Sequence, residues 1–177
     1  VDLDVLSNTG AYGAHALTVA CNCGSKVLPL YRWSQIGFTA EAVYTNLPVA
    51  GAYRGYGATQ AAFAMEIQMD EMAHAIGMDP VELRLKNHIR KGETSPVFKA
   101  LGEGGTGVEQ SIDSIGLDRC IRAGARAIGW KKRRRRGKEP LRRGMGMVCL
   151  MQGSSIPEVD MGAASIKMNE DGSFNLL

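Results

Sequence analysis

Between Gly51 and Gln60 the chain reads Gly-Ala-Tyr-Arg-Gly-Tyr-Gly-Ala-Thr-Gln, placing three glycines within seven residues. A helical pattern starts immediately afterwards, at about Thr59. Glycine reaches backbone angles closed to other residues and lets a neighbour or ligand approach the main chain closely. A turn of this kind feeding a helix also leaves N–H groups unpaired at the helix start, where an anion can be held. The fold must therefore contain a sharp loop that presents backbone donors beside Tyr53, Arg54 and Tyr56. Taken alone, the stretch reads more readily as a tight strand-to-helix connection whose tyrosines pack.

The surroundings of the loop describe a mixed α/β (α+β) chain. Val1 to Val5 alternates apolar and acidic residues, as a half-buried strand does, and Asn8-Thr9-Gly10 signals a turn. His15 to Cys23 reads as a short buried helix closed by Gly24, with His15 as a cap or packing residue. Phe38, Ala40, Ala42 and Tyr44 share one face of a strand that leads into the loop. After the loop, Ala62, Met65, Met69, Met72, Ala73 and Ile76 recur at helical spacing, while Glu66, Asp70, Glu71 and His74 fall largely off that stripe. Methionine at core spacing fills gaps in packing. Asp79 as N-cap, Pro80 in the first turn and Glu82 three residues after the cap begin a further helix buried through Leu83 and Leu85.

Residues 93–111, rich in glycine, read as a loop. Gly102 to Gly107 lacks the Lys-Ser/Thr that closes a phosphate-binding P-loop. From Leu117 a helix carries Leu117, Cys120, Ile121, Gly124 and Ile128 on one side. Gly144 to Met151 opens a strand, and Asn169-Glu170-Asp171-Gly172 between two alternating runs is a hairpin signal.

Charge divides the chain. Nine of its 21 basic residues crowd between Lys131 and Arg143; without those nine, the chain counts 12 basic against 18 acidic residues. This run reads as a solvated, mobile linker that the fold can spare. It separates a first part, 1–130, from the start of a β-rich second part, 144–177. The four cysteines, Cys21, Cys23, Cys120 and Cys149, form no metal-ligand or disulfide spacing and suit a reducing, cytoplasmic setting. No run is long and apolar enough to span a membrane, and Val1-Asp2-Leu3 does not resemble a signal peptide.

The segment Asn46-Leu47-Pro48 through Gln60, with Met65-Glu66 and Asp79-Pro80-Val81-Glu82-Leu83-Arg84, resembles the molybdenum hydroxylases, the family of xanthine dehydrogenase and aldehyde oxidoreductase. Their large chain carries an A-[FY]-R-G-[FY]-G-x-x-Q signature, which stands here as Ala52 to Gln60. The resemblance implies part of a molybdopterin-binding domain with an incomplete core. It further implies oxidative hydroxylation of an aromatic heterocycle or aldehyde at a molybdenum–molybdopterin centre, in plain or cytosine dinucleotide form. FAD and [2Fe-2S] clusters would sit on other chains or domains, and the partners would be the rest of the subunit, the iron–sulfur and flavin units, and a small planar substrate.

Carried over by position, the resemblance implies that Ala52, Arg54 and Gly55 would contact the cofactor through their main chain. Tyr56 would stack on the substrate, and Ser154 and Ser155 would fall near a second substrate-lining loop. No arginine stands at Cys21 to Lys26, where a purine-binding one would be expected. The family's Gly-Gly-Gly-Phe-Gly segment and its catalytic-glutamate loop are absent, and none of Glu66, Glu71 or Glu82 replaces that glutamate. The 177 residues would thus form one wall of an active site, with no catalytic residue of their own and no turnover alone.

A second reading comes from a different class. Arg54-Gly55-Tyr56-Gly57 matches the first four positions of the RNA-recognition signature, and the basic run lies downstream. A nucleic-acid-binding domain of that type requires the segment to continue as a strand bearing a second aromatic.

Overall fold

A computed structural model of the chain describes residues 1–102, 104–132, 144–152 and 161–177. Strands β1 (Asp2–Gly10) and β2 (Gly37–Tyr44) pair in parallel, from Asp2 opposite Gly37 to Gly10 opposite Tyr44, with a slip in register between Asn8 and Gly10. A parallel pair needs a crossover connection. Helix α1 (Ala16–Val27) and a short 3-10 turn, Leu28–Leu30, supply it. Leu3 and Val5 of β1 pack on the core between exposed Asp2 and Asp4, as the alternation requires. The expected turn at Asn8 to Gly10 is instead the end of the strand.

Gly24 does not end α1; it is buried inside the helix. A Cβ there would stand 2.7 Å from both the Phe38 ring and a Leu101 methyl, so this glycine admits close packing rather than a stop.

Helix α2 (Ala58–Ala75) buries Ala61, Ala62, Met65, Met69 and Ala73, while Met72 and Ile76 at the end of the expected stripe are exposed. Helix α3 (Pro80–Asn87) begins as its caps dictate, with the Asp79 carboxylate accepting the Val81 N–H at 2.8 Å. Within the stretch expected to be loop, Ser95 and Pro96 start a five-residue helix, α4 (Pro96–Ala100). Helix α5 (Leu117–Ala127) buries Ile121 but exposes Cys120 and Ile128.

Residues 144–152 are not a strand. They form no regular element, but Cys149 is buried in the core and Met147 and Met151 pack against it. The hairpin forms where expected, as antiparallel β3 (Ile166–Met168) and β4 (Phe174–Leu176). Lys131 and Lys132 sit in a short 3-10 turn beginning at Trp130. The rest of the basic run, 133–143, lies outside the described residues.

Glu66, expected off the buried stripe, is 2% exposed, and its partner Arg84 is wholly buried. The Arg84 Nε–H donates to Glu66 Oε2 at 2.8 Å, and its other nitrogens donate to Asp70, to the Pro80 carbonyl and to the Glu66 carbonyl. Glu66 also accepts from the Tyr31 hydroxyl at 2.6 Å and the Cys149 N–H at 2.7 Å. Burial opposes the Arg84 charge, but the hydrogen bonds and charge of Glu66 more than offset it and hold the guanidinium above its ordinary pKa. Burial and the Glu66 charge push the Cys149 thiol up to about 11, so it stays protonated at neutral pH.

A second polar junction joins α3 to α5. Buried His88 points Nε2 at Asp118, and Arg90 donates to the same carboxylate. Desolvation works against the Asp118 charge, yet the hydrogen bond with His88 and the positive charges of His88 and Arg90 hold its carboxyl below the usual carboxylate range. Because the folded pKa is depressed, this stabilisation is fully present above the unfolded value of about 3.9 and is lost as pH falls through the folded one. Acid titration of stability below about pH 4 should therefore be shallower in Asp118→Asn than in wild type. Parallel acid limbs would show that the junction adds nothing.

Candidate functional site

The glycine loop is fastened to the C-terminal end of β1. The Ala50 N–H donates to the Thr9 carbonyl at 3.0 Å, and the Ala11 N–H donates to the Leu47 carbonyl at 3.1 Å. Gly10, at φ +71°, lies so close to Pro48 that a Cβ would meet the Pro48 carbonyl oxygen at 2.1 Å. In parallel α/β units, ligands bind beyond the carboxyl ends of the strands. Here that edge is where the loop stands, beside a cleft lined by Ser7, Thr9, His15, Val19 and Gly51.

Two helices start at the loop. Neither the α1 start at His15 nor the α2 start at Gly57 has a side-chain cap; at α2 the first N–H, that of buried Ala58, donates to the Gly55 carbonyl at 2.8 Å. A helix start without a side-chain cap favours an anion. The loop turns through Gly55 (φ +100°), Tyr56 (φ +45°) and Gly57 (φ +94°). Tyr56 is the one non-glycine residue at positive φ among the described residues. A left-handed bulky residue is strained by about 1–3 kcal/mol and persists where surrounding contacts hold it. Gly57 presses on α1, and the Cys23 thiol donates to the Gly57 carbonyl at 3.2 Å. The Tyr56 hydroxyl lies 2.7 Å from His15 Nδ1, and the two rings meet edge-on at 76°.

Ala52, Tyr53 and Arg54 are exposed, Tyr53 to 86%, whereas Gly55 and Tyr56 are half-buried. Ala52, Arg54, Gly55 and Tyr56 thus form one continuous rim. Ser154 and Ser155 lie outside the described residues. His15, expected to cap or pack, occupies the N-cap position of α1 but turns its ring to Tyr56. No local signal links two residues 41 apart in sequence, so this pairing is visible only in the fold.

The nucleic-acid reading fails at this loop. α2 begins at Ala58, directly after Arg54-Gly55-Tyr56-Gly57, so no strand follows to carry a second aromatic.

A backbone loop beside helix starts without side-chain caps, with open space where a side chain at Gly51 would stand, can admit a large anionic cofactor against the main chain. Comparison with known proteins agrees with this geometry. The model of the molybdopterin cofactor-binding domain matches residues 1–88. A xanthine dehydrogenase molybdenum-binding subunit of Escherichia coli O157:H7 is 41% identical over 179 residues, covering 98% of this chain and 22% of the relative. The chain therefore spans about a fifth of the length of that relative. The aldehyde oxidoreductase of Desulfovibrio desulfuricans superposes with a TM-score of 0.59 at 28% identity, over 74% of this chain and 13% of that one. That of Desulfovibrio gigas shares the fold over 99% of this chain and 19% of its own, with a TM-score of 0.65 at 24% identity. With the glycine loop, the parallel β1–α1–β2 unit and these likenesses together, the chain belongs to the molybdopterin cofactor-binding domain family and corresponds to part of a molybdenum hydroxylase large subunit.

Proposed function

We propose that the chain forms one wall of the active site of a xanthine dehydrogenase-like molybdenum hydroxylase. The observation that carries this reading is the loop from Ala52 to Tyr56, exposed at Ala52 to Arg54, beside two helix starts without side-chain caps and ending in a strained, half-buried aromatic. Ala52, Arg54 and Gly55 would hold molybdopterin, in plain or cytosine dinucleotide form, through their main chain. The bound group supplies the two-electron oxidation that replaces a C–H bond of the substrate with C–OH, the oxygen coming from water. Tyr56 offers its ring face to a planar heterocycle or an aldehyde, and Ser154 and Ser155 would contact the same substrate.

The rest of the subunit and iron–sulfur and flavin units, as separate chains or domains, complete the enzyme and carry electrons away. The division into 1–130, a linker at 131–143 and a second part at 144–177 belongs to the same reading. Exposed apolar side chains near the rim, among them Tyr12, Tyr44, Leu47 and Val49, suit cover by those missing parts.

Tyr56 provides the test. Removing the ring from the whole enzyme should misplace the reacting carbon, and a shift of about 1 Å can cost on the order of a hundredfold in rate. Tyr56→Ala is expected to keep wild-type molybdenum content and melting temperature while losing most turnover, and Tyr56→Phe, which keeps the ring, to lose far less of it. Wild-type turnover by Tyr56→Ala at full metal content would remove Tyr56 from the substrate wall.

A further inference from the structure

We propose that His15 is the positioning residue for Tyr56, fixing the plane of its ring through the phenol oxygen. This rests on the reading of Tyr56 as the substrate-facing ring, and it adds a residue that the sequence pattern does not connect to it. Three observations converge on the pair.

The backbone at Tyr56 leaves its ring poorly held from below. It sits at φ +45° between two glycines, also at positive φ, which have no side chains to brace it. The ring is only half-buried, so packing alone does not determine its rotamer. Its tip, in contrast, meets a defined partner: His15 Nδ1 is 2.7 Å from the hydroxyl, with ring centroids 5.7 Å apart and edge-on.

His15 is also well placed to act as a fixed post. It occupies the N-cap of α1 yet donates and accepts no cap hydrogen bond through its side chain. The start of α1 is tied to the loop independently, since Gly57 packs against the Val19 carbonyl and the Cys23 thiol bonds the Gly57 carbonyl. The Tyr56 residue is therefore held at both ends by one rigid helix: its backbone through Gly57, its hydroxyl through His15. A ring stacked on a planar substrate must keep its plane, and locking a side chain by such outer contacts is what holds a binding geometry in register.

His15→Ala and Tyr56→Phe each remove the same hydrogen bond, so in the whole enzyme each should lower kcat/KM by about threefold, the range of one modest hydrogen bond. The combined variant should also lose about threefold, because the bond can be lost only once. His15→Asn, whose amide oxygen stands near the position of Nδ1, should recover most of the loss. Steady-state kinetics normalised to molybdenum content read all four, with Tyr56→Ala alongside.

An additive loss of about ninefold in the combined variant would overturn the proposal. So would wild-type kcat/KM in His15→Ala while Tyr56→Ala loses turnover, and that result leaves Tyr56 on the substrate wall. Full turnover by Tyr56→Ala overturns the reading of Tyr56 itself and the role of His15 with it.

Discussion

Arg84→Ala should cost about 3–5 kcal/mol, because it leaves a buried carboxylate without its counter-charge. The guanidinium lies wholly inside the protein between α2 and α3, making four hydrogen bonds of which one is the direct pair with Glu66. Glu66 in turn ties down the Tyr31 hydroxyl and the Cys149 N–H, from segments 35 and 83 residues away. Loss of the arginine therefore loosens α3, the 3-10 turn beside Tyr31 and residues 144–152 together. For a domain of this size the melting temperature should fall by roughly 10 °C.

Replacing both charges, as Glu66→Leu with Arg84→Met, removes the uncompensated carboxylate but leaves the Tyr31 hydroxyl and Cys149 N–H without an acceptor. Each such orphan costs about 1–3 kcal/mol. The double variant should then be no less stable than Arg84→Ala, where independent contributions would make it far worse. A melting temperature for Arg84→Ala within about 2 °C of wild type, less than 1 kcal/mol, would show that water or neighbouring groups compensate Glu66.

The parts of the fold legible in the sequence are those specified by local rules. The alternation in β1 and β2, the Asp79 cap with Pro80 behind it, and the Asp171-Gly172 hairpin each depend on residues within a few positions of one another. What escaped was set by distant partners. Glu66 looks like a surface residue on the helical wheel of α2, and its burial follows from Arg84 eighteen residues on. Gly24 looks like a helix stop, but Phe38 and Leu101 close on it from other elements and keep it inside α1.

Residues 144–152 carry a strand-like pattern yet pair with no strand among the described residues, since their contact is with Glu66 and the helical core. The site divides in the same way. Its glycine loop and Tyr56 are conspicuous in the sequence, whereas the role of His15 depends on a fold that brings positions 41 apart to hydrogen-bond distance.

The three glycines of the loop should not be equivalent, and alanine substitution is expected to rank them. Gly57→Ala should be the most damaging. Its φ of +94° is closed to alanine, and the new Cβ would stand 2.1 Å from the Val19 carbonyl oxygen and 3.2 Å from the Cys23 nitrogen. Both obstacles are backbone of α1, so no rotamer change relieves them; α1 and the loop must separate. Strain of about 1–3 kcal/mol for the backbone angle adds to an overpacking cost of similar size, about 1–3 kcal/mol. Molybdenum content should fall with stability, since both helix starts move.

Gly55→Ala carries the angular strain, φ +100°, but the atoms nearest its Cβ are those of the Thr59 side chain, which can turn away. It should cost about 1–3 kcal/mol and no more. Gly51→Ala faces open space at an ordinary φ and should leave the melting temperature unchanged. Any loss of molybdenum in that variant would then report contact with the cofactor rather than with the fold. Thermal denaturation and metal analysis of the three variants separate these effects. If Gly57→Ala melts within about 2 °C of wild type, under 1 kcal/mol, the close seating of the loop on α1 is not what holds the rim in place.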